Sequence, residues 1–230
     1  MKKLFLLFGI LFVFISQVAF PQVKSFRFGL KVSPSISWLS PNTAGYENDG
    51  AKLGFNWGLI SDFALTENYF LSSGFNINYL NGKLLYETNM SVPGDTLLKT
   101  GNLSRTYNLR YIDVPLMLKM KTNQFNKSQF YGQIGILLGF NVKANAKDSF
   151  TTGGTTTDFE NEISDEIKFL RSSLLLGGGV EYYLDKSTSI IGGISFSNGF
   201  TNVLNKNNPI TNEKQKAVFN YFELTLGIIF

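Results

Sequence analysis

Seven ionisable residues, Lys31, Asp62, Asp113, Lys119, Arg171, Glu181 and Glu223, recur at alternate positions among apolar side chains along the 230-residue chain. Side chains of these types support two kinds of chemistry. Neighbouring carboxylates can divide acid and base roles in a hydrolysis, whereas a carboxylate facing a cation forms a buried ion pair that catalyses nothing. Other chemistries lack their groups altogether. The chain has no His and no Cys, which removes Ser-His-Asp triads, His-containing zinc sites, most general bases poised near neutrality and disulfide staples. A second cluster runs from Ala144 to Ile167, where Asp148, Asp158, Glu160, Glu162, Asp165 and Glu166 outnumber the lone Lys147 around Thr151-Thr152-Gly153-Gly154-Thr155-Thr156-Thr157. Acidic runs can hold Ca²⁺ or a basic partner, but this spacing matches no calcium loop. The segment Thr201 to Ala217 is basic through Lys206, Lys214 and Lys216. No catalytic, cofactor or metal site is expected from these residues.

The elements that must position the charges are strands. Phe26, Phe28, Leu30, Val32, Ile36 and Trp38 alternate with Arg27, Gly29, Lys31, Ser33, Ser35 and Ser37, and Pro34 on the apolar side suits a bulge or a rim. The same period of two covers Leu53 to Leu65, Tyr69 to Tyr79, Phe130 to Val142, Leu170 to Leu184, Ile190 to Ser197 and Val218 to Phe230. The fourth strand is irregular. Leu109 and Tyr111 share one parity while Ile112, Val114, Leu116, Leu118 and Met120 take the other, which predicts a bulge between Arg110 and Asp113.

The connections alternate in length. Long polar segments, Leu39 to Ala51, Thr88 to Leu103, Ala144 to Ile167 and Thr201 to Ala217, follow odd strands; short turns, Thr66 to Asn68, Thr122 to Lys127 and Asp185 to Thr188, follow even ones. Transmembrane barrels sort their loops in this way. Aromatics ring the apolar series at both ends, with Phe26, Phe63, Tyr69, Phe130, Tyr182 and Phe230 at one and Trp38, Phe55, Tyr79, Phe140 and Phe222 at the other, as a lipid-facing surface requires. The chain opens Met1-Lys2-Lys3 and runs into the apolar Leu4 to Ile15, a secretory signal too short for the ~20 residues of a spanning helix. Residues 1–22 are therefore read as a signal peptide, with the mature start between Phe20 and Val23, and residues 23–230 as one all-β, eight-stranded, antiparallel up-and-down transmembrane barrel. The formal net charge of +4 includes Lys2 and Lys3, so the mature chain is near +2, too little for a nucleic-acid partner.

Two resemblances sharpen the expectation. The alternating final stretch ending at Phe230 resembles the closing strand of bacterial outer-membrane barrels, in which a terminal aromatic forms part of the signal read by the barrel assembly machinery. Gly29-Leu30-Lys31-Val32-Ser33-Pro34, Leu109-Arg110-Tyr111-Ile112-Asp113-Val114-Pro115-Leu116-Met117-Leu118-Lys119, Gly177-Gly178-Gly179-Val180-Glu181-Tyr182-Tyr183-Leu184 and Ser197-Asn198-Gly199-Phe200-Thr201-Asn202-Val203 resemble the PorT-type, porin-like outer-membrane barrels common in Bacteroidetes. That resemblance implies an eight-stranded barrel and no shared catalytic motif. Outer-membrane proteases and lipid-trimming enzymes of barrel form rely on a His that this chain lacks.

An eight-stranded barrel is only wide enough for side chains to fill it, so the interior charges are expected to pair rather than line a pore. The expected protein is a monomeric, non-enzymatic outer-membrane barrel with a structural role or a surface-binding role carried by its external loops. Its expected partners are outer-membrane lipid and lipopolysaccharide, the assembly machinery and an extracellular ligand of unknown identity. The alternatives are a small porin and an accessory of a protein secretion system.

Overall fold

The computed structural model describes residues 26–93 and 96–230, so the expected signal segment 1–22 lies outside the described residues. Among the described residues nine strands run Phe26–Pro41 (β1), Tyr46–Ala64 (β2), Tyr69–Met90 (β3), Lys99–Lys121 (β4), Ser128–Thr152 (β5), Thr155–Glu162 (β6), Leu170–Tyr183 (β7), Ser189–Gly199 (β8) and Ala217–Ile229 (β9), with a short 3₁₀ turn at Ser164–Glu166. Every pairing is antiparallel. Eight strands form a closed ring in the order β1-β2-β3-β4-β5-β7-β8-β9, and β9 pairs back onto β1 from Gly29↔Ile229 to Pro41↔Ala217. Closure leaves the ring no edge at membrane depth, where an unpaired backbone group costs several kcal/mol. Among the described residues no helix is long and apolar enough to cross a membrane.

Three sequence expectations need correction. Much of the three long segments 39–51, 88–103 and 144–167 is strand rather than loop: β2 begins at Tyr46, β3 reaches Met90, β4 starts at Lys99 and β5 runs to Thr152. Beyond Thr152 the chain turns at Gly153 and Gly154, whose φ of 56° and 81° suit the tight hairpin. It returns as the ninth strand, β6, along β5. The expected bulge in the fourth strand is absent. Buried and outward residues alternate without interruption from Leu103 to Lys121, and the extra residue is Val142 on β5, skipped between Arg110↔Lys143 and Tyr111↔Asn141. Pro34 sits at neither a bulge nor a rim. It pairs with Phe55 on β2, and its missing N–H coincides with a break in the ladder to β9 between Val32↔Leu226 and Ser35↔Glu223 that leaves the register unchanged.

The irregular parity of β4 has another cause. Leu109, Tyr111, Asp113, Met117, Lys119 and Lys121 are all buried inside the ring, so the strand keeps its facing while the chemistry of both faces changes. Toward the short-turn end the outward residues are Ile112, Val114, Leu116, Leu118 and Met120; toward the other end they are Arg110, Asn108, Thr106, Ser104 and Asn102. Inside, Lys121, Lys119 and Asp113 give way to Tyr111, Leu109, Tyr107 and Leu103. The neighbours switch at the same level, since Tyr79 pairs with Arg110 and Arg110 with Lys143. Below that level the wall is apolar outside and polar inside, as in lipid; above it the wall is polar outside and apolar inside, as in a soluble barrel.

The aromatic residues expected at the two ends all lie on the outer face of the lower section. Phe26 and Phe63 pack at 5.0 Å and Phe28 and Phe230 at 5.6 Å at one end, and Trp38, Phe196 and Phe222 form a cluster at the other. Phe230 follows the last strand residue, and its N–H donates to the Phe28 carbonyl at 2.8 Å.

This solvent boundary predicts opposite outcomes for one substitution on the same outer face. Leu176→Arg, at the middle of the outward series of β7, should destabilise the folded barrel by about 2–4 kcal/mol in vesicles. Asn102→Arg, outward on β4 above the boundary and opposite Glu87, should stay within about 0.5 kcal/mol of the parent. Urea titration of the heat-modifiable band measures both, and equal penalties would refute the boundary.

Candidate functional site

The lower lumen is filled by ion pairs in stacked tiers. At the short-turn end Arg27 and Lys121 converge on Glu181, and Ser189 Oγ donates to the same carboxylate at 2.6 Å. Above them Lys119 Nζ lies 2.7 Å from Asp62, which also accepts from Ser72 Oγ at 2.5 Å. Lys31 Nζ is 3.3 Å from Glu223, whose other oxygen accepts from Asn56 at 3.0 Å. The last tier is Arg171 Nη2 on Asp113 at 2.7 Å, with Asn78 donating to Asp113 at 2.8 Å. All seven residues singled out by alternation therefore lie in the lumen and have partners of opposite charge; Arg27 and Lys121 complete the set. Arg27 was visible in the alternation of β1, and Lys121 follows the parity of Lys119 on β4, but neither could be matched to Glu181 without the closed ring.

Tyr111 and Asp113, from the Tyr-Ile-Asp-Val-Pro-Leu stretch, hold Arg171 from two sides: the guanidinium carbon is 4.8 Å from the Tyr111 ring centroid and 5.8 Å from that of Tyr221. Gly139 makes the room. A Cβ there would stand 2.5 Å from Asp113 Oδ1 and 2.7 Å from Arg171 Nε. The lumen keeps a cavity of about 40 Å³ beside Lys31, Asn56, Lys119, Tyr131 and Glu223, room for a few waters. The lumen carboxylates Glu181, Asp62, Glu223 and Asp113 are each engaged by a cation.

Above the boundary the lumen becomes an apolar core. Leu39, Leu80, Leu84, Leu103, Leu109, Phe150 and Phe219 are fully or almost fully buried there, each worth about 1.5–3 kcal/mol of burial. The wall of this head is one-sided, because β7, β8 and β9 end at Leu170, Gly199 and Ala217 while β2 to β6 continue. The open side is covered by two folded-in segments. Ile163 and Ile167 flank the 3₁₀ turn, Val203 and Leu204 lie in the last connection, and all four are buried against the core. Asn208 of that connection donates to Tyr46 Oη and to the Glu87 carbonyl, both at 3.0 Å.

One arginine ties the cover to the wall. Arg105 binds Asp148 through two bonds of 2.7 and 2.6 Å and reaches Glu166 of the 3₁₀ turn at 2.6 Å; Glu166 also meets Lys206 at 3.2 Å. Burial opposes the charge on Arg105, and the hydrogen bond to Asp148, together with the neighbouring Tyr86 and Tyr107 phenols and the Asp148 charge, outweighs it, holding the guanidinium above its ordinary pKa. Burial likewise pushes the neighbouring Tyr107 phenol up to about 12. The acidic segment thus divides. Asp148 and Glu166 serve this latch, Glu160 pairs with Lys147 at 2.8 Å, and Asp158 and Glu162 accept from Ser149 and Ser164. Of the basic residues, Lys206 joins the latch, whereas Lys214 and Lys216 are exposed. Among the described residues no group of acidic side chains is arranged to hold a metal ion.

Replacing Arg105 with Gln should strand Asp148 in the core and detach the cover, at about 3–5 kcal/mol for one partner of a buried pair. Hydrogen exchange at Ile163 and Ile167 should accelerate by at least about a hundredfold, while amides of β1 and β9 in the lower ring keep their protection. Unchanged exchange at the cover would show that apolar packing alone holds it.

No curated protein matches the chain. Among solved structures it is similar to Neisserial surface protein A (13% identity, covering 90% of this chain and 96% of that one, TM-score 0.43). It is also similar to OprG from Pseudomonas aeruginosa (12% identity, 90% and 97%, TM-score 0.45). A third similar structure is the outer membrane protease OmpT from Escherichia coli (8% identity, 94% and 99%, TM-score 0.43). Residues 15–205 match the family model described as outer membrane protein beta-barrel domain. The closed eight-stranded ring with its lipid-type outer belt agrees with that match, and the chain belongs to the outer membrane protein beta-barrel domain family and resides in the outer membrane.

Proposed function

We propose that this barrel neither catalyses nor conducts, and that it serves as an anchor for an external head whose role is structural or is the binding of a surface ligand. The observation that carries this reading is the double filling of the lumen. Ion pairs occupy the membrane section, and a covered apolar core occupies the head. An ion on its way through would have to part buried pairs and then cross a hydrocarbon-like plug, each step costing several kcal/mol. Neighbouring charges are spent on one another, and the absence of His leaves no side chain that ordinarily titrates near neutrality, which supports a non-enzymatic reading.

We also read the chain as a PorT-type member, on the strength of the stretch Leu109 to Lys119, whose inward residues Tyr111, Asp113 and Lys119 all serve the lumen network. In this reading residues 1–22 are removed on export, the assembly machinery inserts the monomer, and lipid and lipopolysaccharide surround the lower belt. The small porin and the secretion accessory remain the competing roles. Planar-bilayer recording of the refolded protein separates the porin: the expected record is free of unitary conductance steps, and reproducible steps that scale with protein added would overturn the proposal.

A further inference from the structure

Each cation buried in the wall has a carboxylate: Arg27 and Lys121 share Glu181, Lys31 has Glu223, Lys119 has Asp62, Arg171 has Asp113, and Arg105 has Asp148 and Glu166. On the outer wall Arg110 and Lys143 break the pattern. They are direct cross-strand partners on β4 and β5, both are exposed, and among the described residues neither has an ion-pair partner. Like charges placed opposite one another on a sheet repel. The β-bulge creates this juxtaposition, because the extra Val142 leaves Val142 and Lys143 both exposed, where strict alternation would have turned Lys143 inward.

Their height is specific. Moving away from the short turns, Arg110 is the first outward residue beyond Ile112 on β4 and Lys143 the first beyond Val142 on β5, and Ile112 and Val142 are the last apolar outward residues of their strands. The Arg110 guanidinium carbon lies 4.8 Å from the Tyr79 ring centroid, at the aromatic level. Around the two cations is a shallow groove of about 190 Å³ on the outside of the barrel, to which Asn81, Asn108 and Asn145 bring amide groups. Below the groove the wall is hydrocarbon-like, with Ile77, Ile112 and Phe140 facing out.

We infer that Arg110 and Lys143 form a docking site for the phosphate of a phosphorylated outer-leaflet lipid, whose acyl chains lie against the apolar wall directly below. A planar guanidinium forks onto phosphate oxygens, an ammonium adds a second point charge, and the amides of Asn108 and Asn145 donate to the remaining oxygens of the headgroup, while the Asn81 amide is held by the Leu53 carbonyl at 2.6 Å. The apolar belt starting one residue below the cations selects a lipid over a free anion, since only a lipid presents acyl chains to that surface. The site lies outside both the lumen and the head, so it stands or falls separately from the absence of conductance.

The test uses the folded protein in detergent, titrated with bisphosphorylated lipid A, with the same lipid dephosphorylated and with inorganic phosphate, and read by native mass spectrometry. The variants are Arg110→Gln/Lys143→Gln, each single substitution, and Lys186→Gln in a short turn as a charge-matched control. Wild type and Lys186→Gln should retain the bisphosphorylated lipid alike. The double variant should lose about thirtyfold in apparent affinity, the worth of two cations at a membrane surface, and each single about fivefold. The dephosphorylated lipid should bind wild type and double variant equally weakly. Since both side chains lie outside the lumen, all variants should give the heat-modifiable band, and the singles carry the test if the double does not. Wild-type affinity in the variants, equal affinity for the dephosphorylated lipid, or inorganic phosphate binding as tightly as the lipid would each overturn the site.

Discussion

The structure depends on one requirement, that every backbone N–H and C=O at membrane depth finds its partner within the wall. The ladder between β9 and β1 meets it by joining strands from opposite ends of the sequence, and the other features of the lower section follow. Closure with eight strands sets a bore that side chains fill. Charges inside so narrow a bore cannot be hydrated individually, so each needs a neighbour of opposite sign. Pro34, which has no N–H to give, costs one interruption in the ladder without moving the register. Gly139 supplies the space that the Arg171 and Asp113 pair occupies.

A second solvent acts on the same strands. Above Tyr79, Arg110 and Lys143 the wall stands in water, and the hydrophobic effect, absent between side chains and lipid tails, can again build a core. The polarity of both faces therefore inverts while the pleat continues. Because β7, β8 and β9 stop at this level, the apolar lining of β2 to β5 would be exposed on one side. The 3₁₀ turn and the last connection fold over it, with Arg105 bridging Asp148 on the wall to Glu166 on the cover. The head is thus a distinct layer of stability: its cover rests on a handful of buried side chains and one ion-pair latch, whereas the ring below is held by continuous ladders. Surfaces used for recognition are commonly drawn from such less stable parts.

Alternation along Phe26 to Trp38 or Val218 to Phe230 was enough to read strands and their two faces, because the two-residue period is a local property of an extended backbone, while the sorted loop lengths and the aromatic ends of the apolar series pointed to the antiparallel order and the lipid-facing belt. The lumen charges were legible for the same reason, as polar residues on the inward parity. Their pairing was not, since Arg27 meets Glu181 and Lys31 meets Glu223 only after β9 and β1 join. The head was misread as loops because its outward residues are Thr, Asn, Ser and Lys, types that also make loops, and its inward apolar residues imitate a change of parity. Period alone reports two faces and never names the solvent on each. What the sequence determined by itself was the alternation, and with it the barrel. Where lipid ends and water begins, which charges meet, and that a single inserted residue at Val142 turns Lys143 outward beside Arg110 were decided by the closed tertiary structure, because register across strands is a property of the ring and not of any strand within it.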